Sequence, residues 1–202
     1  MQLKPISSNI NDYVQNSRYV DFENDNIKAL SRTLFSDCKD KLEIIETAYI
    51  FVRDHISHSW DIQSKHITVT ASQALQFKEG ICYSKANLLA ALLRSQDIPT
   101  GFCYQRLTIS DTHENGFCIH ALSAVYVAGL NKWIRLDARG NNENINAGFS
   151  LDKEILAFPV RTEYAEVDYK EIYTEPLPIT MQTLENNTDC LNMYLHNLPS
   201  VI

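Results

Sequence analysis

The chain has 202 residues, 45% hydrophobic and 21% charged, a balance that excludes a disordered or fibrous polypeptide. Its formal charge of -7 argues against a general binder of nucleic acid or anionic membranes, which needs a basic surface. Five cysteines, an odd number, leave at least one thiol unpaired within the chain.

The first residues, Met1 to Asn11, mix Lys4, Pro5, Asn9 and Asn11 with isolated apolar positions, unlike the apolar stretch of a signal peptide. No window approaches the ~18 uncharged apolar residues of a membrane span. The expected compartment is therefore the cytoplasm, with Cys38, Cys82, Cys103, Cys118 and Cys190 as thiols. No Cys-x-x-Cys is present, so no structural zinc site is expected.

The spacing of Ile27, Leu30, Leu34 and Phe35 predicts a helix capped by Asn24 or Asp25. Asp40 with Glu43 resembles a capping box, and Leu42, Ile45, Tyr49, Val52 and Ile56 form one apolar stripe behind it. Residues 58–70 read as a loop. A helix opening at Cys82 follows, with Ala86, Leu88, Leu89, Ala90, Leu92 and Leu93 around most of its girth, so it should be buried on most sides. Asp97-Ile98-Pro99 stops it.

After Pro99 the apolar period changes from helical to alternating. Residues 101–109, 117–127 and 132–137 read as strands, the last two joined by a hairpin turn at Ala128-Gly129. The last third is irregular around Pro159, Pro176 and Pro178, then offers a helix carrying Leu191, Tyr194, Leu195 and Leu198. Helices first and an antiparallel sheet second predict an α+β fold.

Cys82 is the first candidate for chemistry. A helix start presents free N–H groups and the positive end of the helix dipole, which favour an anion there. Gly80 would allow a tight turn and close approach of a substrate backbone. The plain alternative is a buried structural thiol. A thiol nucleophile needs a base, and the base needs an orienter. If Ala128 and Gly129 are the central loop residues, Val127 faces Leu130 and the register sets His120 directly opposite Asp137 on one sheet face. A carboxylate there would fix the tautomer of the imidazole and stabilise its charged form. The alternative is a solvated cross-strand ion pair.

Gly80-Ile81-Cys82-Tyr83-Ser84-Lys85-Ala86, with Leu88 to Leu93, Arg94 and Ile98-Pro99, resembles the nucleophile helix of the transglutaminase-like superfamily. His120 in its strand and Arg135-Leu136-Asp137-Ala138-Arg139-Gly140-Asn141 after a hairpin resemble the second and third motifs of that superfamily. The tail, with Phe158-Pro159-Val160-Arg161 and Tyr173-Thr174-Glu175-Pro176-Leu177-Pro178, is similar to that of its small bacterial members. The resemblance implies a papain-like α+β core over about residues 40–160, in a single domain of residues 1–202 on which the N-terminal helices and the C-terminal extension pack. It implies a catalytic triad of Cys82, His120 and Asp137, no cofactor and no metal. The acyl group of a peptide or protein amide would pass to water, as in a peptide or isopeptide hydrolase, or to an amine, as in a transglutaminase. The backbone N–H of Cys82 would serve the oxyanion. A non-catalytic binding module that keeps the fold is the reading from another class.

The superfamily's larger animal members carry β-sandwich domains and a calcium loop, neither of which is legible here. Ala121-Leu122 follows His120 where many relatives carry tryptophan. For a second oxyanion donor, Gln76 reads better as a surface residue and Trp60 as a core anchor. His55 and His58 read as a solvated pair rather than metal ligands. Cys118 projects to the face of His120, as a small core residue or at the cleft border, and Arg139 reads as a loop anchor. Cys38, Cys103 and Cys190 read as packing residues.

Overall fold

The computed structural model describes residues 2–109 and 113–202. Asn24 caps α1 (Asp25–Leu34) by accepting from the N–H of Asn26. Asp40 caps α2 (Lys41–His55), its carboxylate accepting from the N–H groups of Leu42 and Glu43 at 2.8 and 2.9 Å. Glu43 reaches back one residue further than a closed capping box requires, to the N–H of Lys39. The closed box occurs instead at Thr70 and Gln73, opening a short α3 (Ala71–Phe77) that the apolar pattern did not predict.

α4 (Cys82–Arg94) is the centre of the core, and all of its residues are buried. It lies among α2, α3 and the main sheet. A helix enclosed on every side has no polar face to display, so Ser84, Lys85, Asn87 and Arg94 must find internal partners. The Arg94 guanidinium does so by donating to the carbonyls of Thr100, Gln15 and Thr174 and to the Glu175 carboxylate. It thereby ties the end of α4 to both outer thirds of the chain.

The main sheet has the order β6-β5-β4-β7 and is antiparallel throughout. Its strands are β4 (Thr100–Thr108), β5 (Phe117–Val127), β6 (Lys132–Leu136) and β7 (Val167–Asp168). Two small parallel pairs accompany it. β1 (Lys4–Pro5) pairs with β8 (Glu171–Ile172), and β2 (Ser57–His58) pairs with β3 (Glu79–Gly80) immediately before Cys82. The chain then adds α5 (Pro178–Glu185), whose first turn Pro178 occupies, and α6 (Cys190–His196).

The β5–β6 hairpin differs from its predicted register. Val127 faces Lys132 and Ser123 faces Leu136, a slip of two residues. The cause is the turn: Ala128–Leu130 form a single 3₁₀ turn and Asn131 takes a left-handed conformation at φ 50°. Asparagine tolerates that conformation, and the Asn131 side chain accepts from the Tyr126 hydroxyl. A slip of two residues keeps every side chain on its predicted face, where a slip of one would not. Asp137, one residue past β6, is thus a diagonal rather than a direct neighbour of His120.

Gly80 also differs from expectation. Its φ is not positive, so no turn demands glycine. A Cβ there would stand 2.2 Å from Ser84 Oγ and 2.9 Å from Thr68 Oγ1. These two hydroxyls share a 2.9 Å hydrogen bond against the first turn of α4. The glycine makes room for that pair rather than for a substrate.

Candidate active site

Cys82 opens α4 behind Ile81, which supplies no side-chain cap, so the first N–H groups of the helix receive no side-chain acceptor from that residue. The Tyr83 hydroxyl donates to the carbonyl of Ile119 at 2.7 Å. This bond fixes the first turn of α4 against β5 one residue from His120.

The His120 imidazole is 5% exposed and bonded through Nε2 to Asp137 Oδ2 at 2.8 Å. The Cys82 thiol interacts electrostatically with the ring, and both line the same cavity. With Nε2 on Asp137, Nδ1 is the nitrogen left for the sulfur. Asp137 is fully enclosed and accepts from two further donors, the N–H of Arg139 at 3.2 Å and that of Ala157 at 3.0 Å. Burial alone would raise its pKa, but His120 and these donors outweigh burial and hold the carboxyl below its usual value. Burial likewise opposes a charge on His120. The adjoining Asp137 charge and the Cys82 thiol overcome it and raise the imidazole above 6.5. The Phe158 ring meets the imidazole edge-on at 5.1 Å, which limits its rotation. The solvated ion pair weighed for His120 and Asp137 is excluded by their burial.

A cavity of about 450 Å³ opens over this group. Trp60, Cys82, Cys118, His120, Phe158 and Tyr194 are among its walls. The structure brings together Cys82, His120 and Asp137. Cys118 borders the same cavity, while Gln76 is exposed and lies away from it. Trp60 is half-buried and stacked on Tyr194, ring centroids 4.6 Å apart. It is a wall of the cavity rather than a core anchor. Arg139 anchors a loop as expected, gripping the Asp61 carboxylate with two bonds of 2.5 and 2.7 Å.

The histidine pair is corrected. His55 is exposed, whereas His58 is buried with its edge against Tyr194. Burial, then the charges of Arg139, Lys85 and His120, push His58 well below 6.5 and keep it neutral. Among the described residues no three His, Cys, Asp or Glu side chains gather as a metal site. Lys85 follows Cys82 by one helical turn, and its ammonium donates to the carbonyls of Ile56 and Arg53. Burial and the Arg139 charge lower its pKa to about 7.

Sequence reasoning assigned no site role to Tyr83, Ala157, Phe158 or Tyr194. Their signals were the aromatic character of three of them and the place of Tyr83 and Phe158 within the motifs beginning at Gly80 and Phe158. Their roles come from contacts that the linear pattern does not encode.

The family model of the transglutaminase-like superfamily matches residues 28–138. That span holds α4, β4, β5, β6 and all three residues of the cluster. The chain belongs to the transglutaminase-like superfamily. Among solved structures, it is similar to a "Putative Cysteine Protease from Cytophaga hutchinsonii" at 20% identity and TM-score 0.49, covering 66% of this chain and 43% of that one. It is also similar to a "putative protease from Parabacteroides distasonis" at 16% identity and TM-score 0.42, covering 75% and 30%. The chain thus spans less than half the length of either structure. None of the curated proteins matches it.

Proposed function

We propose that this superfamily member is a thiol-dependent hydrolase of peptide or isopeptide bonds, with Cys82 as nucleophile, His120 as general acid–base and Asp137 as orienter. One observation carries the reading: an enclosed Asp137–His120 pair shares the wall of an open cavity with Cys82 at the start of α4. A structural thiol would require none of the three parts of that arrangement.

In this mechanism the Cys82 proton passes to His120 Nδ1 and rests there, since the site favours the charged ring, leaving a thiolate. The sulfur then bonds to the substrate carbonyl carbon, and the π electrons move to the oxygen. The N–H of Cys82, at the positive end of α4, donates to that oxyanion. Collapse re-forms the carbonyl and breaks the C–N bond, and the departing amine takes the proton from His120. Water next gives a proton to His120 and attacks the thioester. Collapse of the second tetrahedral species releases the acid and restores the thiolate. Asp137 stays ionised throughout, holding the Nε2–H and stabilising the charged ring.

The cavity wall is rich in apolar side chains, among them Ile81, Leu107, Phe158 and Leu198. Arg161 and Glu166, also on the wall, bind one another. Such a cleft suits an uncharged, apolar stretch of peptide.

The test offers a peptide library and casein to the enzyme, with and without a labelled primary amine. New amino termini that depend on Cys82 support hydrolysis. Amine incorporation with no cleavage would overturn it in favour of transfer. Neither product would favour a binding module.

A further inference from the structure

β6 covers β5 only from Ser123 to Val127, so the stretch of β5 that carries His120 has no strand on that side among the described residues. An uncovered edge beside a reacting group is a ready template for an extended peptide. Here the chain itself occupies it. The N–H of Ile119, next to His120, donates to the carbonyl of Pro199 at 2.8 Å. Leu198, one residue earlier, enters the cavity wall with Tyr194 and Leu195.

This segment is held lightly. Leu198 and Pro199 are half-buried, and Ser200, Val201 and Ile202 are exposed. By contrast, the α6 turn before them is anchored through buried Cys190 and Met193 and by the bond from Cys190 N–H to the Lys65 carbonyl. Asn197 is still tied back, its N–H to the Met193 carbonyl and its side chain to Asn187, so the hinge falls after it.

We propose that residues 198–200 form a built-in strap that mimics substrate: Pro199 supplies the backbone acceptor and Leu198 the apolar side chain. The β5 edge at Ile119 is then the subsite for an extended peptide carrying an apolar residue, and substrate enters by displacing the strap. The inference rests on reading Cys82 and His120 as the reacting pair, but binding at the edge is measurable without turnover.

The test follows amide hydrogen exchange in the full chain and its Leu198→Asp variant, whose new charge cannot remain against the apolar wall. Loss of a single backbone bond and its covering leucine predicts about tenfold faster exchange at Ile119. Amides of the covered part of β5, Ser123 to Val127, should be unchanged. The synthetic peptide Asn-Leu-Pro-Ser-Val-Ile, added in trans, should restore protection of Ile119 in the variant and not bind the unaltered chain. Unchanged exchange at Ile119, or no protection by the peptide, would overturn the strap.

If Leu198→Asp loses protection throughout, Leu198→Ala replaces it, with a smaller change of the same sign expected at Ile119 alone. No change there would equally overturn the proposal. Alkylation of Cys82 in the same variants separates the two readings. Restored protection with an unreactive Cys82 would sink the hydrolase and leave the peptide subsite standing.

Discussion

The two walls of the cavity are built differently. One is α4 and β5: the helix is buried on all sides, and β5 pairs with β4 from Thr100–Val125 to Thr108–Phe117. The other is α6, anchored by buried Cys190 and Met193 and the Trp60–Tyr194 stack, and the segment after it, which meets β5 through the bond from Ile119 N–H to the Pro199 carbonyl. Cys82 and His120 stand on the first wall, and Leu195 and Leu198 on the second. Groups that must be held to a fraction of an ångström belong on over-determined elements. Access can be left to parts that open at low cost.

The comparison can be broken first at the chemistry. Cys82→Ala and His120→Ala should abolish turnover with little loss of folded structure. Asp137→Asn should lower kcat less than either, because an amide oxygen can still accept the Nε2–H but no longer stabilises the charged ring with a full charge. Steady-state kinetics and circular dichroism check both parts. A variant that unfolds would move these residues from chemistry to structure.

Next comes stability. Leu89→Ala, inside α4, should cost about 2–5 kcal/mol, whereas Leu195→Ala, on a residue 57% exposed, should stay within about 0.5 kcal/mol. Gly80→Ala should cost about 1–3 kcal/mol, since the Thr68–Ser84 hydroxyl pair must move. Urea denaturation measures all three, and equal losses in Leu89→Ala and Leu195→Ala would erase the distinction between the walls.

The pH response follows from the buried pair. Asp137 is depressed in the fold, so its contribution is present above its unfolded value of 3.8 and fades as pH falls through the lower folded value. His120 is raised to about 10, so its contribution is full below 6.5 and fades as pH rises through about 10. Stability should plateau between these limbs, and Asp137→Asn should flatten both. Thermal melts across pH test this. Trp60→Ala, whose loss of the Tyr194 stack removes about 0.5–1.5 kcal/mol beyond lost area, should fall between Leu195→Ala and Leu89→Ala in urea denaturation.

The rigid wall was the legible one. Leucines and alanines around α4, a proline after it and the alternation of β4 and β5 are local signals, and they fixed which faces His120 and Asp137 share. The two-residue slip came from a left-handed Asn131, which strand patterning does not register. α3 carried a readable Thr70–Gln73 capping box but is too short to display apolar periodicity. Pro178 signalled irregularity because proline breaks helices, although it is equally at home in the first turn, where α5 uses it. His58 became buried through Tyr194, which is remote in sequence. The same remoteness hid the second wall: nothing near Ile119 announces that Pro199 will meet it.

The central claim is that Cys82 is an activated thiol served by His120. Burial raises Cys103 and Cys118 to about 12 and Cys190 to about 11, so these thiols stay protonated and slow. Iodoacetamide at pH 6, with each cysteine followed by mass spectrometry, measures the claim directly. Cys82 should alkylate far faster than the other four, and His120→Ala should remove that excess. Equal rates at all five cysteines, or a fast Cys82 indifferent to His120, would contradict it.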